Sequence, residues 1–229
     1  LRGETVDEIT GAARVMRSKA TGIIAPPNAV DTCGIGGDGS GTFNISTGAA
    51  IVAAACGAIV AKHGNRAASS KSGSADVLLA LGVNLDADMA LLEKALKEIN
   101  LCFMMATRHH SAVRHVMPTR VEMGTRTIFN LLGPLANPAK TKRQVMGVFA
   151  REWVEPIANV LNRLGSEHAW VVYGHSGLDE ISTTGPTFVA EVKNGAVTTF
   201  EINPEDYGLE IVTLDALKGG DAQTNAQAI

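Results

Sequence analysis

The chemistry-bearing residues of this chain fall into four groups. Residues 31–48 carry glycine at 34, 36, 37, 39 and 41, and then Asn44, Ser46 and Thr47. Glycine has no Cβ, so its backbone N–H groups can converge on an anion, and a helix N-terminus following such a loop adds a favourable dipole. Asn44, Ser46 and Thr47 are residue types that cap a helix start. A second group spans residues 62–74, with the cations Lys62, Arg66 and Lys71, serines at 69, 70, 72 and 74, and glycines at 64 and 73. Lysine offers phosphate a point charge, arginine a bidentate fork, and serines fill the remaining oxygen lone pairs. A third group is the acidic pair Asp179-Glu180, and a fourth is a His/Arg-rich stretch with His109, His110, Arg114, His115 and Arg120.

Bland readings compete with each group. Residues 34–39 match the dinucleotide pattern GxGxxG, but about twenty residues on the next strand ends in Lys62, where that fold wants an acid for the ribose hydroxyls. The lysine of a P-loop is absent. A flexible glycine loop without ligand and a solvated charged loop remain as alternatives, and phosphate binding accounts better for both loops together. His63 alone reads as a structural hydrogen-bonder rather than a base. An isolated Asp-Glu pair is usually solvated surface, and the His/Arg stretch reads as an exposed helix face, with no zinc spacing such as HExxH.

These residues need elements to hold them. Residues 4–20 form one amphipathic helix, with Val6, Ile9, Ala13 and Met16 at helical spacing, and Pro26-Pro27 begins a stiff connector. From Ala29 onward short apolar strands alternate with helices, which implies an α/β class: a mostly parallel central sheet flanked by helices, with a small all-helical lobe only partly present. Strands are expected at 30–33, 58–61, 101–106, 144–149, 169–173 and 187–192. Helices are expected at 47–56, 75–81, 87–98 and 153–164, with 109–130 mainly helical and broken at Pro118. Residues 219–225 read as the cap of a helix barely begun. In parallel sheets ligands gather beyond the carboxyl ends of the strands, so the first two loops are expected to face one crevice.

Composition narrows the class. Hydrophobic residues at 45% and charged residues at 19% support a sizeable core, while aromatics at 4% argue against an aromatic stacking surface. The formal net charge of −3 gives no global pull toward nucleic acid or an acidic membrane, so any anion must be held by a local cluster. No apolar run is long enough to span a bilayer. Three cysteines, Cys33, Cys56 and Cys102, have neither CxxC nor metal spacing, and a reducing cytoplasm is their simplest setting.

Taken together, Gly34-Ile35-Gly36-Gly37-Asp38 with Asn44-Ile45-Ser46-Thr47, and Lys62-His63-Gly64-Asn65-Arg66, resemble anthranilate phosphoribosyltransferase. The likeness continues through residues 126–135 (RTIFNLLGPL) and 177–182 (GLDEIS) and covers essentially the whole chain. The resemblance implies transfer of the phosphoribosyl group of phosphoribosyl pyrophosphate (PRPP) to the amine of anthranilate, a step of tryptophan biosynthesis, without a covalent nucleophile. It implies a PRPP site lined by Gly34, Gly37, Asp38, Thr42, Asn44, Ile45, Ser46, Thr47, the run Lys62, His63, Gly64, Asn65, Arg66, Ala67, Ala68, Ser69 and Ser70, and Ser74. Gly34, Asn65 and Arg120 would hold anthranilate. Ser46, Asp179 and Glu180 would hold Mg²⁺, with two ions expected because adjacent side chains on an extended backbone point apart. A cytoplasmic homodimer with no nucleic-acid or membrane partner is implied as well. So are two domains, with 1–25 the remnant of an N-terminal helical domain, 108–133 packing with it, and 27–229 an α/β domain incomplete at its C-terminus.

The chain departs from the family pattern at Ile35, where threonine is usual, and at Thr107 and Ser111, where prolines are common. The family extends further at both ends, so the chain is expected to be a fragment. Two rivals stand beside this reading, a non-catalytic relative that binds nucleic acid and an enzyme like the pyrimidine nucleoside phosphorylases.

Overall fold

A computed structural model gives the structure, which describes residues 3–67 and 71–229. Its seven strands are β1 (Val30–Gly34), β2 (Val60–Gly64), β3 (Leu101–Met105), β4 (Arg143–Gly147), β5 (His168–Gly174), β6 (Thr187–Lys193) and β7 (Ala196–Ile202). The α-helices among the described residues are α1 (Val6–Lys19), α2 (Ile45–Ala55), α3 (Ser74–Ala80), α4 (Met89–Glu98), α5 (Ala106–His109), α6 (Met117–Met123), α7 (Ile128–Leu135), α8 (Val154–Arg163) and α9 (Ala222–Ala228). The strands form one sheet in the order β3-β2-β1-β4-β5-β6-β7. The first five in that order run parallel, and β6 and β7 are antiparallel. The mostly parallel sheet expected from the strand-helix alternation is what the chain forms.

Strand order reverses at β1, which has β2 on one side and β4 on the other. Such a switch point opens a crevice at the carboxyl ends of the strands. Four strands in a row there, β2, β1, β4 and β5, end in glycine: Gly64, Gly34, Gly147 and Gly174. That bare edge lets loops fold back over the sheet.

The main core joins Met146 and Val171 of the sheet to Leu131, Leu132 and Leu135 of α7 and Ile157 and Leu161 of α8. α1 inserts Ile9 and Ala13 into this same core. It starts with a capping box, Thr5 and Glu8 satisfying each other's backbone N–H groups. Arg17 Nε donates to Leu135 O at 2.7 Å, and the backbone of Thr21 donates to His109 O at 2.8 Å.

Several boundaries differ from the sequence reading. β2 runs to Gly64 rather than ending at Ala61, because Lys62 and His63 stay in register with Phe103 and Met104 of β3. Pro118 does not break a helix. It lies in the first turn of α6, where a missing N–H costs nothing, and the true interruption is Gly124 in the left-handed conformation at the C-cap. The reading overlooked β7, although Asn194-Gly195, both at positive φ, is a two-residue hairpin turn with a recognised signature. The expected final cap is present, with Asp221 accepting from Thr224 N at 2.9 Å at the start of α9.

Candidate active site

The glycine-rich loop leaves β1 at Gly34, and α2 does not begin until Ile45. A dinucleotide fingerprint would open a helix at once. Here the intervening residues form a separate cradle, with Gly36 and Gly37 at φ of +76° and +79°, a conformation that side chains rarely adopt. The cradle is pinned at both ends by backbone: Ile35 N donates to Gly147 O at 3.0 Å, and Phe43 N donates to Leu217 O at 3.0 Å.

Over this cradle folds the acidic pair that follows β5. Asp179 is only 7% exposed, and its Oδ2 accepts from Gly36 N at 2.7 Å. The close approach depends on the bare strand ends. A Cβ on Gly34 would collide with Asp179 Oδ2, one on Gly147 with the Asp179 backbone, and one on Gly174 would come within 2.7 Å of Glu180 O. Burial, then the Asp38 charge beside it, push the Asp179 carboxyl up to about 6. Burial, then Asp179, push Glu180 up to about 8 against the opposing pull of Lys62.

Lys62 comes from β2 rather than from the second loop. It is 2% exposed, and its Nζ donates to Thr32 O and, at 3.2 Å, to Ser46 Oγ at the start of α2. Asp31, fully buried on β1, lies close enough to feel its charge. The strand ends thus gather Gly34, Gly37, Asp38, Ser46, Lys62, Asp179 and Glu180 at one locus. Asp31 and Glu180 feel the charge of this one buried ammonium, while Asp179 lies against Asp38.

The second loop closes on Asp76 of α3. Its carboxylate accepts from Arg66 Nη1 at 3.1 Å, Ala67 N at 3.0 Å and Gly73 N at 2.9 Å. Burial raises that carboxyl, but these bonds outweigh it and leave it below the ordinary range. Ser74 begins α3, and the Asn65 carbonyl accepts from Ala75 N at 3.2 Å. Ala68, Ser69 and Ser70 lie outside the described residues. The two loops touch where Asn44 Nδ2 donates to Ser72 O at 3.1 Å, while Asn44 Oδ1 accepts from Asn225 of α9 at 2.8 Å. Asn44 therefore does not cap α2 with its side chain, as the sequence suggested. Nor does Thr47, which is 1% exposed and turned inward, leaving its hydroxyl without a partner. Thr42 bridges Lys218, and Ile45 forms the first turn of α2.

His63 and Arg120 find other partners. Successive strand residues face opposite ways, so His63 points away from Lys62 and lies 5.0 Å from the His110 ring, edge on. Arg120, half-buried on α6, lies over the Phe129 ring at 5.5 Å. Among the described residues no hydrogen bond or ion pair joins Arg120 to the carboxylates. The sequence reading also passed over Arg126, whose Nη2 donates to Gly37 O, and Gly147 and Gly174, of which Gly147 fell inside the expected strand 144–149 and Gly174 just past the expected strand 169–173. Among the described residues no three His, Cys, Asp or Glu side chains are clustered tightly enough to hold a metal by themselves.

Known proteins share this sequence and fold. The model of the glycosyl transferase family, a/b domain, matches residues 26–229. The anthranilate phosphoribosyltransferase of Azospirillum brasilense is 67% identical over all 229 residues, which cover 64% of its length. The chain thus spans somewhat under two thirds of that curated relative. The crystal structure of anthranilate phosphoribosyltransferase from Thermus thermophilus superposes with a TM-score of 0.92 at 48% identity, over 99% of this chain and 68% of that one. The Saccharomyces cerevisiae enzyme in complex with PRPP and Mg superposes with a TM-score of 0.88 at 32% identity, over 97% of this chain and 62% of that one. By these matches the chain belongs to the anthranilate phosphoribosyltransferase family of glycosyl transferases.

Proposed function

We propose that the protein carrying this chain transfers the phosphoribosyl group of PRPP to the amine of anthranilate, releasing pyrophosphate. The observation that carries the reading is the convergence at one switch point of a glycine cradle that includes Asp38, a buried lysine, and the two carboxyl groups of Asp179 and Glu180.

That locus is too acidic to accept a polyanion unaided. Burial and then Asp38 raise the Asp179 carboxyl, and burial and then Asp179 raise that of Glu180, which marks a place where positive charge is wanted. A hard divalent cation with oxygen ligands suits this donor set, and Mg²⁺ fits it, taking its remaining ligands from substrate oxygens and water. Ser46, Asp179 and Glu180 would hold it, as two ions in our reading, and its role when bound is to neutralise charge on the departing pyrophosphate.

The chain's own residues do the rest. Gly34, Gly37, Asp38, Thr42 and residues 44–47 line the diphosphate side, with Lys62 supplying fixed positive charge beneath it. Residues 64–67 and Ser74 form the opposite lip. Asn65 and Arg120, together with Gly34, orient anthranilate, the guanidinium pairing with its carboxylate. As the C1–oxygen bond breaks, positive character develops on the ribose. The amine, held in line, forms the new C1–nitrogen bond, and orientation of this kind can lower a barrier by up to about 7–11 kcal/mol. No side chain needs to become a covalent intermediate. With three free thiols, the protein is read as cytoplasmic, and it is read as a homodimer, which its mass in solution checks.

The test mixes protein, Mg²⁺, PRPP and anthranilate and follows anthranilate fluorescence. Loss of fluorescence that requires all four components is expected. A folded protein that leaves the signal unchanged would refute the reading.

A further inference from the structure

The sequence RTIFNLLGPL opens on an arginine that no part of the proposed chemistry uses. Arg126 lies before α7, far along the chain from the glycine-rich loop, yet its Nη2 donates to the carbonyl of Gly37. The guanidinium carbon sits over the Phe149 ring, just past β4, 4.0 Å from the ring centroid. Among the described residues it has no carboxylate partner. Stacking on an aromatic face is a fixed mount for a guanidinium, since the ring quadrupole attracts the cation and the plane sets its orientation.

What it holds is a soft piece of backbone. Gly36 and Gly37 are both at positive φ, and glycine loses more freedom on ordering than any other residue. The turn is gripped from two sides: Asp179 takes the Gly36 N–H at 2.7 Å, and Arg126 takes the Gly37 carbonyl. The grip is close, for a Cβ on Gly37 would come within 2.9 Å of Arg126 Nη2. The next residue is Asp38.

We infer that Arg126 is a positioning residue: mounted on Phe149, it holds the Gly37 carbonyl and so keeps the cradle shaped and Asp38 beside Asp179 before substrate arrives. It acts through the loop and does not contact the phosphates. Without it, the ordering of residues 36–41 becomes part of the cost of binding PRPP, which weakens binding without changing the reaction once the substrate is seated. The kinetic part of this inference rests on the proposed PRPP site; the structural part does not.

Two measurements on the intact protein test it. In hydrogen exchange of the ligand-free protein, Arg126→Ala should speed exchange about tenfold in the peptide spanning residues 34–42 and leave the peptides of β4 and β5 unchanged. Arg126→Lys should restore little, because an ammonium lacks the flat fork. Phe149→Leu should give a smaller rise, and the double variant should exceed Arg126→Ala by no more than about twofold, since both act on one contact. In steady-state assays Arg126→Ala should raise the PRPP KM about tenfold, with kcat and the anthranilate KM within about twofold of the parent.

Unchanged exchange at 34–42 together with a raised PRPP KM would mean that Arg126 touches substrate directly, and would overturn the inference. So would an unchanged PRPP KM in an active variant, or a uniform rise in exchange throughout the protein. A parent protein with no transferase activity would instead sink the proposed function, and the exchange data would still decide whether Arg126 shapes the loop.

Discussion

At the scale of single residues, the site depends on atoms that are missing as much as on those present. Gly34 leaves room for the Asp179 carboxylate, so Gly34→Ala should displace Asp179, break its bond to Gly36 N, and lower kcat/KM about 100-fold, as misplacements near 1 Å do. A normal kcat/KM in the folded variant would contradict this. Arg120→Ala should raise the anthranilate KM by about 10- to 100-fold, the worth of a charged hydrogen bond, while the PRPP KM stays within about threefold. Equal loss for both substrates in steady-state assays would show that Arg120 serves another purpose. His63 gives a pH signature. Its imidazole is driven down to about 3 by burial, and then by His110, His109 and Lys62, against a Gly133 carbonyl that favours its protonated form. A base whose folded pKa lies below its unfolded value stabilises fully above about 6.5, and that contribution is lost as pH falls toward 3, at up to about 1.4 kcal/mol per pH unit. Asp179 and Glu180, being raised, act in the opposite sense over part of this range, so the difference between parent and His63→Gln isolates the histidine. Denaturant unfolding between pH 7 and 4 should show a shallower acid loss in the variant. Parallel curves would exclude His63 as the cause.

At the scale of elements, the loops are shaped by partners distant in sequence, and there the sequence was least informative. The cation-rich loop was plain from its composition, but its clasp, Asp76, looked like an ordinary first-turn acid of α3. Asp76→Ala should cost about 1 kcal/mol of stability, since water reaches the exposed Arg66 side of the clasp, and raise the PRPP KM about tenfold. An unaltered KM would mean that the loop keeps its shape without the clasp. The strand-helix alternation was legible because buried parallel strands are short apolar runs. The end of β2 was not, since Lys62 and His63 imitate a loop while lying 2% and 5% exposed. One is satisfied by Thr32 O and Ser46 Oγ, and the other donates its backbone N–H to Asp31 at 3.1 Å. Asp31 is also bound by Asn137 Nδ2 at 2.8 Å, which in turn reaches Ala61 O at 2.9 Å. No local pattern announces a link across 106 residues. β7 was different: its Asn-Gly turn was readable, and its largely exposed run, with fewer buried positions than β6, hid the strand behind it.

At the scale of the molecule, the sheet's order explains why residues from positions 34 to 180 share one place. Reversal at β1 sets the carboxyl ends of β2, β1, β4 and β5 side by side, and each ends in glycine. A chain with a net charge of −3 then concentrates Asp38, Asp179 and Glu180 at this edge, with the buried Lys62 close enough to pull on Glu180. This acidity is, in the proposed function, the binding half of a site completed by divalent cation and PRPP together. Calorimetric titration of PRPP, with Mg²⁺ and with chelator, tests it on the parent and on the Asp179→Asn/Glu180→Gln double variant. Mg²⁺ should tighten PRPP binding to the parent at least about tenfold, and the double variant should lose this gain. Equal PRPP affinity of the parent with and without Mg²⁺, or a full Mg²⁺ effect in the double variant, would contradict it.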